Sequence, residues 1–579
     1  MTHAGRLRPL ARHAGHLAGV YGACLAGAAV LSWPLLRTVS GHLPGPWPHP
    51  DITTAVWFRW HLVERLAAGE SPLFAPGLYH PDGMDVTLHI WNLGISFAQA
   101  PFAAVFGPLA GFNVSLLFLA AFNGLAGYVL GRTVGGGRLS GAVAAAVLLA
   151  SNFAWAEMIH GRCEQGLLAF VALAVAGLLQ LRRGTGGAGI AVATGLGVAA
   201  AGLCFWFYAA FLGFVMGGLA LVSLLRRDWR CLGWLGLAGA VAAVVLVPAA
   251  IPVLVRMAAD SSPYARTVAE GAEVASLVDG LRRQYSVTLL GSALWPTADF
   301  PQRVCTGVPL LGLLAWVTAL ARRGSRSRAG FLPWLALGGV ILAAGPMLLL
   351  RPEEPLVIGG RVLPLPGAIL DGLPLFERQW WPHRWLSLSV VGGAGCAAAA
   401  LATLPGDGRL ARGVALGFVL LFAVEARLMF HGAPYAAFAG DPQPLGVPAY
   451  FEGLAAEPGD HPLLQLPLRR VDDAALIYVP FHRQPVDGGP AYTVDVHAEP
   501  DYLRRIATNP ALTALDRLAR NQDPAPVVDA RLSLRELGFR HAVFWRDQDV
   551  FGRDWTAIYS TFFGVEPAFA DAAVVIWEL

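Results

Sequence analysis

Long apolar segments constrain the fold of this chain more than any other feature. A helix needs about 20 apolar residues to cross the hydrocarbon core of a bilayer. Only 14% of the residues are charged, whereas soluble proteins carry about 25%, so lipid must be the main solvent. The sequence predicts about eleven spans, at about 16–36, 112–132, 139–155, 165–181, 187–205, 207–225, 231–254, 307–321, 330–350, 385–404 and 410–430.

Arginines in the short loops predict the orientation of these spans, because short basic loops face the cytoplasm. The N-terminus, with three arginines before the first span, is therefore predicted to be cytoplasmic. The later basic loops share that side only if the stretch 92–109, which contains Pro101, Gly107 and Pro108, does not cross. We expect that stretch to be a re-entrant or interfacial helix, which at membrane depth needs protein or a water-filled cavity beside it.

The chain divides by composition into two domains. Residues 1–431 hold the apolar spans and a long first outer loop, 37–111, whereas residues 432–579 read as ordinary folded protein without cysteine. Short strand patterns at His461–Leu468 and His541–Trp545, and a terminal strand or hairpin from Pro567, indicate a small α/β domain. The fold class is therefore a polytopic all-α membrane protein with a small C-terminal α/β domain, which we expect on the extracytoplasmic side.

The first outer loop contains an amphipathic helix from Asp51 to Leu66. Trp57 and Trp60 suit the lipid headgroup level, and Arg59 lies off the apolar face of the predicted helix. Asp51 opens this helix, where it can serve either as an N-cap or as a functional carboxylate.

Further along this loop, Asp82 and Asp85 follow a Pro-Asp-Gly turn pattern. Turn formation explains them more simply than ligation of a divalent cation, so they are weak metal candidates. His89 leads into the interrupted helix and is a candidate for the donor or acceptor pocket.

A second outer loop, around residues 157–165, concentrates ionisable groups between two apolar spans. Such groups are costly at the membrane boundary unless they are paired or functional. Glu157 and His160 are three apart and are expected to share a helix face. The segment predicts either a helix end with a salt bridge to Arg162 or a donor and acceptor pocket lined by Glu157, His160, Arg162 and Glu164.

A third cluster, basic and aromatic, directly precedes a late span. Arg378, His383 and Arg384 alternate here with Trp380, Trp381 and Trp385. The arginine fork matches phosphate geometry, and tryptophan suits the membrane interface. The cluster therefore predicts a site for a lipid-linked phosphate, with general anchoring to headgroups as the alternative.

Several short motifs together resemble bacterial membrane glycosyltransferases of the GT-C type. In the first outer loop these are Gly69-Glu-Ser-Pro72-Leu-Phe74 and Tyr79-His-Pro81-Asp-Gly83, followed by Phe106–Asn113 at the entry to a span. The basic segment from Arg378 to Arg384 also resembles this family. So do three segments of the C-terminal region, His461–Leu468, His482–Gly489 and Leu534–Phe544.

The resemblance implies a GT-C fold in the bacterial cytoplasmic membrane and transfer of a sugar from a polyprenyl-phosphate donor to an extracytoplasmic glycan, lipid or protein. It implies that Asp51 is the catalytic base. Many relatives carry a second acidic residue beside this one, and here no such neighbour stands in the sequence. A divalent cation, Mg²⁺ or Mn²⁺, therefore stays open, and nothing in the sequence indicates nucleic-acid binding.

Two other functions are compatible with the sequence. A transporter or flippase of lipid-linked material would carry inverted repeats and charges in the middle of the membrane. Here the ionisable residues gather on the predicted outer face instead. A non-catalytic scaffold that kept the GT-C shell is the second alternative.

Overall fold

The structure is a computed structural model of the 579-residue chain. It describes residues 3–44, 50–87, 93–259, 286, 310–351, 354–370, 373, 376, 381–404, 408–431, 443–457, 459–469, 475–489, 500–524, 526–548 and 551–579.

Helices dominate the part of the chain before residue 432. Apolar side chains without a polar break favour helices here, because a helix satisfies its own backbone hydrogen bonds. The helices are α1 (His3–Leu31), α2 (Trp33–Leu36), α3 (Pro50–Ala67), α4 (Leu93–Phe106), α5 (Pro108–Gly135), α6 (Arg138–Leu149), α7 (Asn152–Ile159), α8 (Cys163–Gly166), α9 (Ala169–Arg182), α10 (Ala188–Cys204), α11 (Trp206–Leu225), α12 (Trp229–Ala259), α13 (Leu310–Ala321), α14 (Arg323–Ala329), α15 (Leu332–Ala343), α16 (Gly367–Leu370), α17 (Leu386–Leu401) and α18 (Gly408–His431).

Each of the eleven predicted spans contains a helix. Within the described residues, seven spans are long and apolar enough to cross a bilayer. The predicted spans at about 187–205, 307–321, 330–350 and 410–430 correspond to α10, α13, α15 and α18. The chain is thus a multi-pass membrane protein. The seven are Ala14–Leu31, Pro108–Gly135, Arg138–Ile159, Cys163–Arg182, Trp206–Leu225, Trp229–Arg256 and Pro382–Leu401.

Helix α4 is too short to cross a bilayer alone. Its 14 residues rise about 21 Å at 1.5 Å per residue, less than the ~30 Å hydrocarbon core. The helix continues through Pro101 and breaks at Gly107, whose φ of 82° suits glycine. A Cβ on Gly111 would lie 2.5 Å from the Cα of Ala103, so α4 folds closely back on α5.

Helix α3 forms as predicted, but protein rather than lipid covers most of it. Trp57 and Arg59, expected at the headgroup level and off the apolar face, are both buried. The physical reason is that α4 and α5 pack against α3, and α4 supplies a buried polar partner for Arg59. Arg59 donates from Nε and Nη2 to the side-chain oxygen of Gln99 on α4, at 2.9 and 2.8 Å.

Short strands of two or three residues stabilise the connections between helices. In the loop 37–111, β2 pairs with β3, and β1 pairs with a strand beyond residue 432. Two small hairpins lie between α15 and α17. These strands are β1 (His42–Leu43), β2 (Phe74–Ala75), β3 (Met84–Asp85), β4 (Leu349–Arg351), β5 (Glu354–Pro355), β6 (Val357–Ile358) and β7 (Arg361–Val362).

The C-terminal region folds around a four-stranded sheet of order β11-β12-β10-β9, in which β10 and β9 are parallel and the other pairs antiparallel. The predicted strands and terminal hairpin are confirmed. The elements are β8 (Gln443–Pro444), α19 (Ala449–Ala456), β9 (Leu463–Leu466), α20 (Val479–His482), α21 (Pro500–Thr508), α22 (Pro510–Ala519), α23 (Ala530–Glu536), β10 (His541–Trp545), α24 (Trp555–Phe563), β11 (Phe569–Ala570) and β12 (Val574–Glu578).

Backbone hydrogen bonds join the loop 37–111 to this sheet. Val486 bridges Leu463 of β9 in parallel. On its other side, the backbone N–H of Val486 donates to the carbonyl of Gly77, and the N–H of His80 donates to the carbonyl of Val486, both at 2.9 Å. The chain around residues 77–80 therefore extends the sheet edge, and the loop that follows α3 is held by the C-terminal domain.

Candidate active site

Three segments that are distant in sequence meet at one place: the start of α3, the turn between α7 and α8, and a 3-10 turn (Pro382–Trp385) before α17. Gly161 allows this approach. Its φ is +89°, and a Cβ added to it would lie 2.5 Å from the backbone N and Cα of Ile52. Only glycine combines that conformation with such close backbone contact, so the turn rests directly on the residue after Asp51.

A continuous chain of ion pairs runs through this junction. Arg162 donates from Nη1 to Oδ2 of Asp51 at 2.8 Å and from Nε to Oε2 of Glu157 at 2.5 Å. The other carboxylate oxygen of Glu157 lies 2.7 Å from Nε2 of His383. All four side chains are buried. Because a buried charge is costly unless paired, Arg162 is the cation that makes the two carboxylates tolerable.

Of the two expected neighbours of Glu157, Arg162 is found as its ion-pair partner, whereas His160 makes a different contact. His160 was expected to share a helix face with Glu157, but Nδ1 of its ring lies 2.5 Å from the carbonyl of Ala156. His383, 226 residues away, contacts Glu157 instead. Residue 160 already lies at the end of α7, where the backbone turns away from the helix, so spacing within a helix no longer determines its neighbours.

Arg384 lies beside this chain of ion pairs but is not part of it. Its Nε donates to the side-chain oxygen of Gln165 at 3.1 Å. Its guanidinium lies over the ring of Trp381 at 4.5 Å and near Phe205 and Phe207, at 5.1 and 5.3 Å. The side chain is partly exposed. Among the described residues, no hydrogen-bond partner is found for its two terminal nitrogens.

Trp381 joins the two arginines, since the guanidinium of Arg162 also lies over its ring, at 5.1 Å. Cation–π contacts of this kind stabilise a cation by about 0.5–2 kcal/mol, with the larger values where water is excluded. The ring of Trp381 thus contacts both Arg162, which is paired with carboxylates, and Arg384, which forms no ion pair with the described residues.

Glu164 was predicted as a pocket residue, but its proximity to Asp51 was not, and Arg59 was not recognised as part of the junction. Glu164 is buried and interacts electrostatically with Asp51, Arg162 and Arg59. It is the second acidic residue that the sequence around Asp51 lacks, and it lies in the first turn of α8. Arg59 brings a third cation to the same region. No local signal links residue 164 to residue 51, because the contact exists only after the turn docks on α3.

The weak metal candidates are each paired with arginine. Asp82 forms an ion pair with Arg505 of α21, and Asp85 lies 3.3 Å from Arg256 of α12. In the described part of the chain, no three His, Cys, Asp or Glu side chains converge on one point. At Asp51 the guanidinium of Arg162 lies where a cation would bind. The described side chains around Asp51 therefore do not fit a divalent ion.

Of the remaining predicted site residues, Arg378 and His89 lie outside the described residues. His383 is fully buried against Glu157, whereas its neighbour Arg384 reaches a partly exposed position. The structure therefore brings Asp51, Glu157, Arg162, Glu164, His383 and Arg384 into one region.

Comparison with known proteins gives a likeness in structure and none in sequence. No protein family matches the sequence, and no curated protein matches it either. The solved structure of ArnT from Cupriavidus metallidurans in the apo state is similar, with 17% identity and a TM-score of 0.50, over 96% of this chain and 97% of that one. The arabinofuranosyltransferase AftD from Mycobacteria gives 16% identity and a TM-score of 0.54, over 96% of this chain and 41% of that one.

The chain has the GT-C fold. Both structures are membrane glycosyltransferases of the GT-C superfamily. At such low identity the likeness establishes the fold alone, since one fold can carry unrelated functions. The function of this GT-C chain must therefore be argued from its own site.

Proposed function

We propose that this GT-C chain is a glycosyltransferase that moves a sugar from a polyprenyl-phosphate donor to a hydroxyl group of an extracytoplasmic acceptor. Asp51 takes the proton of the acceptor hydroxyl while the oxygen of that hydroxyl forms a bond to the anomeric carbon of the sugar. The bond from that carbon to the phosphate oxygen breaks, and its electron pair leaves with the polyprenyl phosphate. Arg384, with Arg378, binds the phosphate.

The open guanidinium of Arg384 is the observation that carries this proposal. Its aromatic neighbours and Gln165 hold the side chain in place, while its two terminal nitrogens have no hydrogen-bond partner within the described part of the chain. A guanidinium with two free N–H edges matches the oxygens of a phosphate. Stabilising the charge that develops on a leaving group is usually the largest single term in catalysis.

The position of Asp51 supports its role as base. A positioned general base contributes about 10²–10⁴-fold to the rate. Arg162 orients the carboxylate through one oxygen, Oδ2, and Trp381 places that arginine next to Arg384. The acceptor would thus bind between the carboxylate and the phosphate. Glu157 forms an ion pair with Arg162, and His383 contacts Glu157 in turn. Glu164 interacts electrostatically with Asp51.

We further propose that the site opens to the extracytoplasmic side of a bacterial cytoplasmic membrane, with the N-terminus in the cytoplasm. The loop arginines support this orientation through the positive-inside rule. In that orientation the C-terminal domain and the first outer loop, which share a sheet edge, cover the face where the donor phosphate would lie.

Donor binding can be tested without knowing the sugar. Undecaprenyl phosphate should raise the midpoint of thermal unfolding of the purified protein in detergent, since a ligand that binds only the native state stabilises it. Arg384→Ala should abolish this rise. The matched control is Arg256→Ala, in which the lost arginine pairs with Asp85, and it should keep the rise. An equal rise in wild type and Arg384→Ala would contradict the phosphate assignment.

Catalysis is tested by transfer from a panel of radiolabelled polyprenyl-phosphate sugars to membrane acceptors. Asp51→Asn should lower transfer by at least about 10² while the thermal response to undecaprenyl phosphate remains. Asp82→Asn is the matched control and should stay active. If Asp51→Asn transfers sugar at the wild-type rate, the base assignment is wrong. If wild type binds the lipid phosphate but transfers no sugar, a scaffold role becomes the better explanation.

A further inference from the structure

The segment between α15 and the 3-10 turn has an unusual composition for a connecting loop. From Pro355 to Leu370 it carries one charged residue, Arg361, among 16 positions. Loops normally run over the surface in contact with water and are correspondingly polar. Acidic residues occur only at its borders, Glu354 on one side and Asp371 on the other.

In the structure this segment exposes its apolar side chains instead of burying them. Strands β6 and β7 form a hairpin around Gly359 and Gly360. Ile358 at its tip is 61% exposed, and Ile369 on α16 is 74% exposed. Val357, Val362, Leu363 and Leu373 are exposed as well. We call these six side chains the hairpin patch.

Water is a poor environment for such a patch. A lone two-stranded hairpin is at best marginally stable in water, and this one has two residues in each strand. Clustered exposed apolar side chains mark surfaces that meet a membrane or another protein. A single arginine at the turn is compatible with lipid, because its long side chain can reach the headgroups while its stem stays apolar.

The attachment of the hairpin indicates whether the patch meets a membrane or another protein. Its base sits at the end of α15: the N–H of Leu365 donates to the carbonyl of Pro346 at 2.9 Å. A Cβ on Gly367 would lie 2.3 Å from the carbonyl oxygen of Gly345. Helix α15 itself exposes Trp334 and Ile341, as expected of a helix in contact with lipid. The hairpin patch thus adjoins an apolar helix that exposes large side chains of its own.

The same base lies next to the candidate phosphate site. A Cβ on Gly345 would lie 3.3 Å from Cγ of Pro382, the residue that opens the turn carrying His383 and Arg384. The hairpin therefore leaves the protein immediately beside the segment that places Arg384. A lipid-linked phosphate that moves from the bilayer to this arginine would pass the hairpin.

We propose that the hairpin patch inserts into the outer leaflet of the bilayer and forms a lipid-embedded border of the entrance to the phosphate site. The insertion follows from the exposed apolar surface and its position beside α15. Its role at the entrance and the assignment to the outer leaflet rest on the proposed function. The occupant of the patch is the lipid bilayer itself rather than a second protein chain.

Site-directed spin labelling of the 579-residue protein in nanodiscs tests this insertion. The six cysteines are replaced, and single labels are placed at Ile358→Cys and Val362→Cys. Two reference labels calibrate the measurement: Val244→Cys on the exposed apolar surface of α12, and Val528→Cys on the exposed surface of the C-terminal domain. Power saturation then compares collisions with oxygen, which concentrates in lipid, and with a nickel chelate, which stays in water.

We expect the labels at 358 and 362 to behave like the label at 244, with high accessibility to oxygen and low accessibility to nickel. High nickel accessibility, as expected at 528, would overturn the proposal and place the hairpin in water. Low accessibility to both reagents would also overturn it, because a protein surface would then cover the patch. None of these outcomes depends on sugar transfer, so a failure of the proposed function would be recognised separately.

Discussion

Two aspartate–arginine pairs join distant parts of this chain, and they differ in how far they are removed from water. In the site, Asp51 and Arg162 are 8% and 4% exposed. At the interface between the loop 37–111 and the C-terminal domain, Asp82 and Arg505 are 32% and 17% exposed. The first pair belongs to a chain of four buried side chains, whereas the second lies at the edge of a backbone-paired interface.

The comparison shows that an aspartate–arginine pair has a different role when it is buried than when it is partly exposed. A buried pair contributes little net stability, but removing one partner leaves an uncompensated charge in a medium of low polarity. Such a pair therefore fixes the geometry of a site. A partly exposed pair is screened by water and contributes about 0–1 kcal/mol. At the interface the backbone hydrogen bonds of Tyr79, His80 and Val486 do most of the joining.

The largest expected effect comes from removing the cation of the buried pair. Arg162→Met keeps an unbranched side chain but leaves Asp51 and Glu157 as buried carboxylates without their shared partner. We expect a loss of about 3–5 kcal/mol in the free energy of unfolding, measured by chemical denaturation in detergent. Arg384→Met, which breaks no ion pair within the described residues, is the control. Equal stability of Arg162→Met and wild type would mean that the carboxylates are not held as described.

A smaller loss is expected from Gly161→Ala. The new methyl group would meet the backbone of Ile52, and the φ of +89° is unfavourable for alanine. We expect a loss of about 1–3 kcal/mol, together with weaker sugar transfer because the start of α3 must shift. Gly213→Ala, where no atom lies within 4 Å of the new Cβ, serves as the control. If Gly161→Ala unfolds and reacts like wild type, close approach of the turn is not required for the site.

The interface should be sensitive to acid through His80. Burial, helped by nearby Arg505, lowers the pKa of His80, although Asp460, Asp82 and a hydrogen bond to the carbonyl of Leu537 oppose the shift. An undocked loop would therefore take up the proton first as the pH falls below about 6.5, and the docked state would lose stability.

Hydrogen exchange of the amides of Tyr79 and His80, which donate to Gly488 and Val486, measures this docking. We expect their protection, corrected for the intrinsic effect of pH, to decrease from pH 7.5 to pH 5.5. The variant His80→Asn should remove the pH dependence. Unchanged protection of both amides in the wild type across this range would contradict the assignment.

The smallest effect is expected at the exposed pair. Asp82→Asn removes the ion pair with Arg505 while leaving the backbone bonds of the loop in place. The free energy of unfolding should fall by no more than about 1 kcal/mol, as measured by the same denaturation experiment. A loss as large as that of Arg162→Met would show that burial does not separate the two pairs.

The sequence by itself determined the membrane fold and the class of the C-terminal domain. Hydropathy is a local property, and a run such as Trp206–Leu225 must form a helix in lipid whatever its neighbours are. The strands β9 and β10 likewise follow from local patterns. Of the site, the sequence identified Asp51, Glu157, Arg162, Glu164, His383 and Arg384 as ionisable groups at segment ends, where such groups are unexpected without a reason.

Only the tertiary structure decided which of these groups are partners. Residues 51 and 162, 157 and 383, and 165 and 384 are between 111 and 226 residues apart, and no local pattern encodes such pairings. They depend on how helices dock, for example on the bare backbone of Gly161 against Ile52. The same docking buried Trp57 and Arg59, which in an isolated helix would face lipid and water. Helix formation is a local free-energy balance, whereas a site is a property of packing.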